Sequence, residues 1–428
     1  MIAIWKWNLS QLRRKIWVPI ALYGLVGIGT AIAAWLVKDA VPRGLPANIG
    51  AEAVSTILQI MASSMLAVTT FSLSIMASAF GSAATGATPR AIALLKNDAV
   101  TQRVLATFVG AFIFSLTGLI GLQTGIYEEA GRFILFAVTL AVLGAVVLQL
   151  VRWIGHLADY GRLADTIDRV ETAAMESLQA RMATPWLGGR PAGRDAAHWP
   201  VALMARHIGY VQVIDLAAVQ AVAETCGQDI ALAVLPGTFV HPGVVLARMA
   251  SPPTEPDETE AALNRAFAVA TTRTFDQDPR FGVLALTEIA SRALSPAVND
   301  PGTAIDILGR QLRILCLWQD RADHEVRFPG VLVPGLQLGD LMTDAFAALA
   351  RDGAGLIEVQ IRLQKTLIGL ATIAPALFGP DALRQSARAL ALAEAALVLE
   401  EDRATLRELH AELEQRLQAP QAAAMRQV

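Results

Sequence analysis

The stretch "MASSMLAVTTFSLSIMASAFGSAATGATPR", Met61–Arg90, decides how the rest of the chain is interpreted. It is apolar over more than the roughly 20 residues that cross a bilayer, yet it is rich in serine and threonine. Positions four and seven apart share one face of a helix, and four hydroxyls have this spacing: Ser63, Thr70, Ser74 and Ser78. The stretch therefore predicts a membrane span with one polar side.

This polar side has two possible explanations. In the first, small residues allow close helix packing, and each hydroxyl bonds a backbone carbonyl one turn back. In the second, the hydroxyls line a polar path. No ionisable side chain lies within the core of any predicted span, which argues against a proton relay or a charged selectivity ring inside the membrane. The sequence leaves both explanations open.

Three more stretches are long and apolar enough to cross a bilayer. The four predicted spans are Ile16–Val37, Ile57–Phe80, Val104–Thr124 and Phe133–Ile154. Hydrophobic residues make up 54% of the chain and charged residues 17%, against about 45–50% and 25% in soluble domains. The excess is concentrated in the first third, so residues 1–155 are predicted to form a transmembrane domain.

Basic residues set the predicted orientation. They precede the first span, separate the second from the third, and follow the fourth: Lys6, Arg13, Arg14 and Lys15; Arg90, Lys96 and Arg103; Arg152, Arg162 and Arg169. The positive-inside rule then places both termini of this multi-pass protein in the cytoplasm. If the second span lines a pore, the middle set lies at its cytoplasmic mouth, where positive charge favours anions.

The rest of the chain is predicted to be cytoplasmic and mainly α, with a smaller α+β part. Residues 156–200 are predicted to form a stalk helix and a linker, with the stalk helix continuous with the fourth span. Residues 201–250 are predicted to form a small α+β module, and residues 251–428 a helical domain that ends in a bundle. The whole is a mainly α fold with four transmembrane helices.

Within the small module, Gly237, Val240, Gly243 and Leu246 have the spacing G-x-x-V-x-x-G-x-x-L. This pattern resembles the half-barrels of lipoyl- and biotinyl-carrying domains, where valine packs inward and the glycines make tight turns. The lysine that carries the cofactor there has no counterpart here. The resemblance implies a β-hairpin or half-barrel module without a covalent cofactor.

A second stretch, "SRALSPAVNDPGTAIDILG", Ser291–Gly309, stops one helix and starts another. The helix before this stretch would begin at Pro279 with Asp278 as its N-cap. It would end before Pro296, because proline disfavours helix in the residue before it. The next would have an N-cap aspartate and proline at its first position. We call the following set the elbow residues: Asp278, Pro296, Asn299, Asp300 and Pro301. They form either a capped helical hairpin or a site where Asn299 and Asp300 are held for a chemical role.

Several function classes receive no support from the sequence. A net charge of −3 gives no general argument for nucleic-acid binding. Cys226 and Cys316 form no disulfide framework or zinc spacing. Carboxylates are plentiful around the elbow, but no nucleophile, P-loop or metalloprotease motif accompanies them. We therefore expect no enzyme activity, metal or cofactor.

Four stretches carry a resemblance to a known family: "TFSLSIMASAFGSAATGATPRAI", "GYVQVIDLAAV", "LPGTFVHPGVVLA" and "RTFDQDPRFGVLALTEIASRALSPAVNDPGTA". Together the chain resembles the bacterial predicted membrane proteins with domain of unknown function 2254. Members tend to read "SPR" where this chain has "TPR", Thr88–Arg90. The resemblance covers most of the chain and implies its architecture, but the family has no assigned activity to carry over.

Two functional hypotheses follow. In the first, the protein is a homo-oligomeric ion or small-solute channel, lined by the second span and controlled by the cytoplasmic part. Four spans without an internal repeat disfavour an alternating-access monomer, whereas symmetric copies would supply a lumen. In the second, the spans only anchor a cytoplasmic sensor or binding module in the lipid bilayer. A membrane-tethered enzyme is a third and weaker hypothesis. The direction in which the second-span hydroxyls point separates the first two.

Overall fold

The structure is a computed structural model. It describes residues 51–96, 98–125, 127, 129–157, 160–318 and 325–425, together with 21, 25, 26 and 28–30. The first predicted span, Ile16–Val37, otherwise lies outside the described residues. The described chain is mainly helical with small mixed sheets, and it forms two compact units. We call residues 51–85 and 92–166 the apolar-helix unit, and residues 86–91 and 167–425 the C-terminal unit.

The apolar-helix unit contains α1 (Ala51–Gly86), the larger part of α2 (Pro89–Lys96), α3 (Ala99–Gln123) and α4 (Glu129–Leu157). The first three residues of α2 belong to the C-terminal unit. Within the described residues, α1, α3 and α4 are long and apolar enough to cross a membrane. They coincide with the second, third and fourth predicted spans. The structure thus describes three candidate spans of the four that the sequence predicts.

Helix α3 lies between the other two candidate spans. The most apolar window of α3 is 61% buried, whereas those of α1 and α4 are each 22% buried. Small residues permit this close packing: a Cβ at Gly118 would lie 3.1 Å from Leu58 of α1 and 3.3 Å from Leu135 of α4. The indole Nε1 of Trp153 on α4 also donates a 2.9 Å hydrogen bond to Ser72 of α1. One side of α1 is therefore occupied by contacts within its own chain.

The predicted continuous stalk is wrong, because α4 ends at Leu157 and a separate helix, α5 (Leu163–Ala183), follows. Gly161 has φ +79°, a left-handed conformation that interrupts a helix. Most of α5 then belongs to the core of the C-terminal unit, with Val170, Ala174 and Leu178 all fully buried.

Two small sheets form in the C-terminal unit. Their strands are β1 (Arg190–Pro191), β2 (Val201–Met204), β3 (Gly209–Ile214), β4 (Ile230–Leu232), β5 (Phe239–Val240), β6 (Val245–Met249), β7 (Phe267–Ala270) and β8 (Val331–Val333). The first sheet has the order β1-β8-β4-β6-β2 and the second β5-β3-β7. Helices α6 (Leu216–Cys226) and α7 (Pro256–Ala266) accompany these strands. The sheets thus extend beyond the predicted module at 201–250.

The predicted hairpin around Gly243 does not form. Val240 and Leu246 are buried, as the pattern predicts, but β5 pairs with β3 whereas β6 pairs with β4 and β2. Gly243 has φ +120°, so the chain turns there from one sheet into the other. The glycine spacing identified the turns correctly but not the partners of the strands.

Six helices complete the C-terminal unit: α8 (Pro279–Ala293), α9 (Pro301–Leu315), α10 (Leu338–Asp352), α11 (Ile357–Ile373), α12 (Pro375–Ala396) and α13 (Glu400–Met425). Apolar residues at helical spacing face one another across this bundle, including Ile289, Leu308, Phe346 and Leu367, all fully buried. The predicted C-terminal helical bundle is therefore present.

Candidate functional site

The predicted pore-lining hydroxyls are exposed on α1. We call Ser63, Thr70, Ser74 and Ser78 the hydroxyl face, and all four are exposed in the chain described. At about 100° per residue, this face is centred about 180° from the buried positions Leu58, Met65 and Ser72. Packing among the described helices therefore leaves the hydroxyl face uncovered.

Two of these hydroxyls are bonded within α1. Ser63 donates to the Ile60 carbonyl oxygen at 3.1 Å, and Thr70 donates to the Leu66 carbonyl oxygen at 2.9 Å. Such bonds satisfy a hydroxyl in an apolar surrounding. They also leave the oxygen lone pairs directed outward, so these two side chains present acceptors to whatever covers them.

The structure describes the side chains of two of the three predicted mouth residues, Arg90 and Arg103. Arg90 belongs to the C-terminal unit, where its Nη1 lies 2.5 Å from the Glu288 carboxylate of α8. Arg103 is exposed, and its Nε donates to the Ala99 carbonyl oxygen at 3.0 Å. The Lys96 side chain lies outside the description. The charge of Arg90 is thus offset by a carboxylate that its sequence neighbours do not supply.

Four of the five elbow residues form a capped helical hairpin. Helix α8 ends at Ala293, shortly before Pro296, and α9 begins at Pro301. Asp300 is the N-cap of α9: its carboxylate accepts from the Thr303 amide at 3.1 Å and from the Thr303 hydroxyl at 2.5 Å. These bonds lower the pKa of Asp300 below its ordinary value. Asn299 adopts φ +49°, a left-handed conformation that asparagine tolerates.

Asp278 has a different role from the one predicted. It precedes α8, which does begin at Pro279, but its side chain makes no capping hydrogen bond. Its carboxylate instead lies 2.7 Å from both Nε and Nη2 of Arg273. Since α8 has 15 residues, Asp278 and the other elbow residues lie at opposite ends of a helix about 22 Å long. A partly buried arginine thus binds the carboxylate that was predicted to cap the helix.

Asp278 lies in the wall of a cavity of about 370 Å³, which we call the arginine cavity. Two loops that follow strands form one part of its wall: Ala233–Thr238 after β4, and Pro334–Gln337 after β8. The starts of α8 and α10 form another part. Three arginines and two aspartates also line it: Arg181, Arg273, Arg280, Asp278 and Asp340.

Both aspartates of the arginine cavity are paired. Asp278 is 2% exposed, and burial raises its pKa while Arg273 and Arg181 oppose that shift. Asp340 lies 2.8 Å from Nη1 of Arg280. Arg280 also holds Asp344 through Nε at 2.6 Å and Nη2 at 3.1 Å. Two of the three cations are therefore engaged by carboxylates.

Arg181 is the third cation, and it is bound differently. It is 3% exposed, and its Nη2 donates to the Gln277 carbonyl oxygen at 2.9 Å. Its Nη1 is buried without a hydrogen-bond partner among the described residues. Burial lowers the pKa of Arg181 to about 10, which nearby Asp278 partly offsets. The guanidinium thus stays charged at neutral pH with one nitrogen unsatisfied.

No metal site is apparent in the part of the chain that the structure describes, since no group of three His, Cys, Asp or Glu side chains is placed to hold an ion. The chemistry available in the arginine cavity is instead hydrogen bonding by guanidinium and backbone donors. Such donors recognise oxyanions.

Comparison with known proteins gives the family. A family model described as "Predicted membrane protein (DUF2254)" matches residues 13–368. The chain belongs to this family. Among curated relatives, "Uncharacterized protein Mb1321c" of Mycobacterium bovis and "Uncharacterized protein Rv1290c" of Mycobacterium tuberculosis are each 29% identical over 284 residues. The match covers 62% of this chain and 50% of each relative, so the chain spans about half their length. No solved structure matches it.

Sequence reasoning about this DUF2254 member missed the arginine cavity. None of the three arginines is part of a recognised motif in the sequence. One signal was available: "RTFDQDPRFG", Arg273–Gly282, places two arginines and two aspartates around a helix start. Arg181 has no such local signal, because tertiary packing alone brings it to this motif.

Proposed function

We propose that the protein is a homo-oligomeric membrane channel for an ion or small solute, with the hydroxyl face of α1 lining its path. The C-terminal unit would lie in the cytoplasm of a bacterium and regulate the path. The observation that carries the proposal is the direction of the hydroxyl face: Ser63, Thr70, Ser74 and Ser78 are exposed, and they point away from the side of α1 that packs on its own chain.

The physical argument concerns what could cover this face. Lipid offers the hydroxyls no hydrogen bonds, whereas a water-filled path or the same face of another copy does. Closed symmetry would bring the hydroxyl faces of several copies around one axis. From Ser63 to Ser78 the face rises about 22 Å, most of the roughly 30 Å hydrocarbon thickness. A continuous polar lining over that distance suits conduction better than a single local contact.

The proposal names no ion. The sequence-based preference for anions rested on Arg90, Lys96 and Arg103, and Arg90 is paired with Glu288. Ser63 and Thr70 present lone pairs, which can replace part of the hydration shell of a cation. Flux of both K⁺ and Cl⁻ should therefore be measured.

The test uses the full chain reconstituted in liposomes that contain K⁺- or Cl⁻-sensitive dye. Two variants are matched: Ser74→Phe adds bulk on the hydroxyl face, and Leu73→Phe adds it about 100° away at a position that is 46% exposed. We expect flux above that of empty liposomes, reduced at least severalfold by Ser74→Phe and unchanged by Leu73→Phe. Equal flux in the Ser74→Phe and Leu73→Phe variants would contradict the channel. So would the absence of both K⁺ and Cl⁻ flux in the unaltered protein.

A second candidate function is a membrane-anchored sensor or binding module, and the arginine cavity favours it. In that case the spans only anchor and associate, and the cavity of about 370 Å³ with its unsatisfied Arg181 Nη1 is the functional site. The two candidates are separated by flux, because a sensor requires none.

A further inference from the structure

The arginine cavity lies where ligands commonly bind to parallel sheets. Strands β4 and β8 are adjacent and parallel, with Ile230 opposite Val331. Their carboxyl ends therefore meet at the same edge of the sheet, and the loops Ala233–Thr238 and Pro334–Gln337 that leave this edge line the cavity. In open α/β sheets the crevice outside the carboxyl ends of the strands is the usual place for a ligand.

Two helices begin at the cavity without side-chain caps. The N-cap residues Asp278 of α8 and Gln337 of α10 line it, and neither makes a capping hydrogen bond through its side chain. Each helix has 15 residues. The helix dipole places partial positive charge at each helix start. The first amides of a helix lack intrahelical partners, but α8 has fewer of them, because Pro279 at its first position has no amide and the Phe281 amide donates to the Asp278 carbonyl oxygen at 3.1 Å. The start of α10 therefore favours an anion in this cavity more than that of α8 does.

Arg181 supplies the second and independent observation. Each aspartate of the cavity is paired with an arginine, at 2.7 Å for Asp278 and Arg273 and at 2.8 Å for Asp340 and Arg280, and the Asp278 carboxylate also lies near Arg181, whose pKa it raises against the effect of burial. Arg181 has a carbonyl oxygen on Nη2 and no described partner on Nη1. A buried charged donor without a partner is costly, and Arg181 is 3% exposed. Removal of that cost by an oxyanion would favour binding.

We propose that the arginine cavity binds a small molecule carrying a phosphate or carboxylate group, with Nη1 of Arg181 donating to an oxyanion oxygen. The start of α10, with Gln337 and Asp340 in the cavity wall, offers backbone amides to the same anionic group. Val234, Leu235 and Leu336 offer an apolar wall for the rest of the molecule. A volume of about 370 Å³ suits a metabolite-sized ligand. The site goes beyond the proposed channel, since it lies within the C-terminal unit and needs no flux to be detected.

The experiment measures thermal melting of the detergent-solubilised full chain while inorganic phosphate or acetate is titrated at constant ionic strength with chloride. Arg181→Met keeps the bulk of the side chain and removes its charge and donors. Arg181→Lys keeps the charge but loses the planar donor group. The matched control is Arg248→Met on β6, which also removes a part-buried arginine that bonds a backbone carbonyl, that of Trp199 at 2.9 Å, outside the cavity.

We expect a saturable rise in melting temperature with phosphate, with acetate, or with both; the response to each probe assigns the anionic group. Arg181→Met loses a charge-assisted hydrogen bond to the probe. The probe concentration at half-saturation should therefore be roughly 10- to 100-fold higher for this variant than for the unaltered protein. Arg181→Lys should also bind more weakly, and Arg248→Met should bind as the unaltered protein does. Arg181 also donates to the Gln277 carbonyl oxygen and lies beside the buried Asp278 carboxylate, so the probe-free melting temperature of each variant is measured first and each midpoint is taken relative to it.

Two results would overturn the proposal. The first is a saturable response of equal midpoint in Arg181→Met and in the unaltered protein. The second is the absence of any saturable response to either probe. Neither result depends on whether the chain conducts ions.

Discussion

The packing of α5 on α8 can be tested by adding a single methyl group. Gly282 of α8 faces Ala174 of α5 so closely that a Cβ at Gly282 would lie 2.4 Å from the Ala174 Cβ and 2.7 Å from its Cα. Apolar atoms prefer about 3.5–4.0 Å. Because the obstruction includes backbone, no side-chain rotation can relieve it, and α5 and α8 must separate by more than 1 Å in Gly282→Ala.

The expected magnitude follows from two opposing effects. Overpacking of a core costs about 1–3 kcal/mol, and the rigid contact at Gly282 suggests the upper end. Replacement of glycine by alanine within a helix returns about 0.5–1 kcal/mol. The net loss of stability is therefore about 2 kcal/mol for Gly282→Ala. At about 2–4 °C per kcal/mol for a unit of this size, the melting temperature should fall by about 4–8 °C.

The matched control is Gly309→Ala on α9. A Cβ at Gly309 meets nothing within 4 Å, so only the helix-propensity gain of about 0.5–1 kcal/mol remains, and the melting temperature should rise by about 1–4 °C. Melting of the full chain in detergent can be followed by tryptophan fluorescence. If Gly282→Ala is as stable as Gly309→Ala, then α5 and α8 do not pack as described and the position of Arg181 beside Asp278 loses its support.

Three further predictions concern the cap, a glycine and the topology. Asp300→Ala should lower the free energy of unfolding by about 0.5–2 kcal/mol through loss of the N-cap, and Asp300→Ser should restore most of that stability. Because the pKa of Asp300 is lowered in the fold, the stability that its carboxylate contributes is present above the ordinary carboxyl pKa and is lost as the pH falls through the lower folded value. Melting at a series of pH values checks this dependence. Gly237→Ala should destabilise the C-terminal unit, because Gly237 has φ +94° and its Cβ would lie 2.3 Å from an oxygen of Asp278; melting temperature is again the measurement, and no change would contradict the contact. A reporter that works only in the cytoplasm should be active when it is fused after Val428, whereas a reporter that works only in the periplasm should be inactive there. Activity of the periplasmic reporter would reverse the proposed orientation.

The features that the sequence predicted are those set by neighbouring residues. The cap of α9 needs only Asp300, Pro301 and Thr303, and the polar side of α1 needs only helical periodicity. The left-handed Gly161, which separates α4 from α5, was the local feature overlooked, since a lone glycine does not reveal its backbone conformation in the sequence.

The arginine cavity depends on contacts between distant parts of the chain. Arg181 bonds Gln277, 96 residues away, and Arg280 bonds Asp344, 64 residues away. The cavity also requires β4 to pair with β8, and three-residue strands give little periodic signal. Asp278 was predicted as a cap because aspartate before proline at a helix start usually caps, and only the fold shows that Arg273 competes for it.

The most direct test of the channel is the access of water to the hydroxyl face. Single cysteines replace Ser63, Thr70, Ser74 and Ser78 in turn, in a chain whose Cys226 and Cys316 are changed to serine, and each is exposed to a membrane-impermeant thiol reagent in intact liposomes. Leu66 and Leu73, exposed in the single chain at 54% and 46%, serve as controls on the flank of that face. The account predicts modification of the four hydroxyl-face positions and protection of both leucine positions by lipid or protein. Uniform protection of all six would contradict the channel and leave the hydroxyl face as a packing surface.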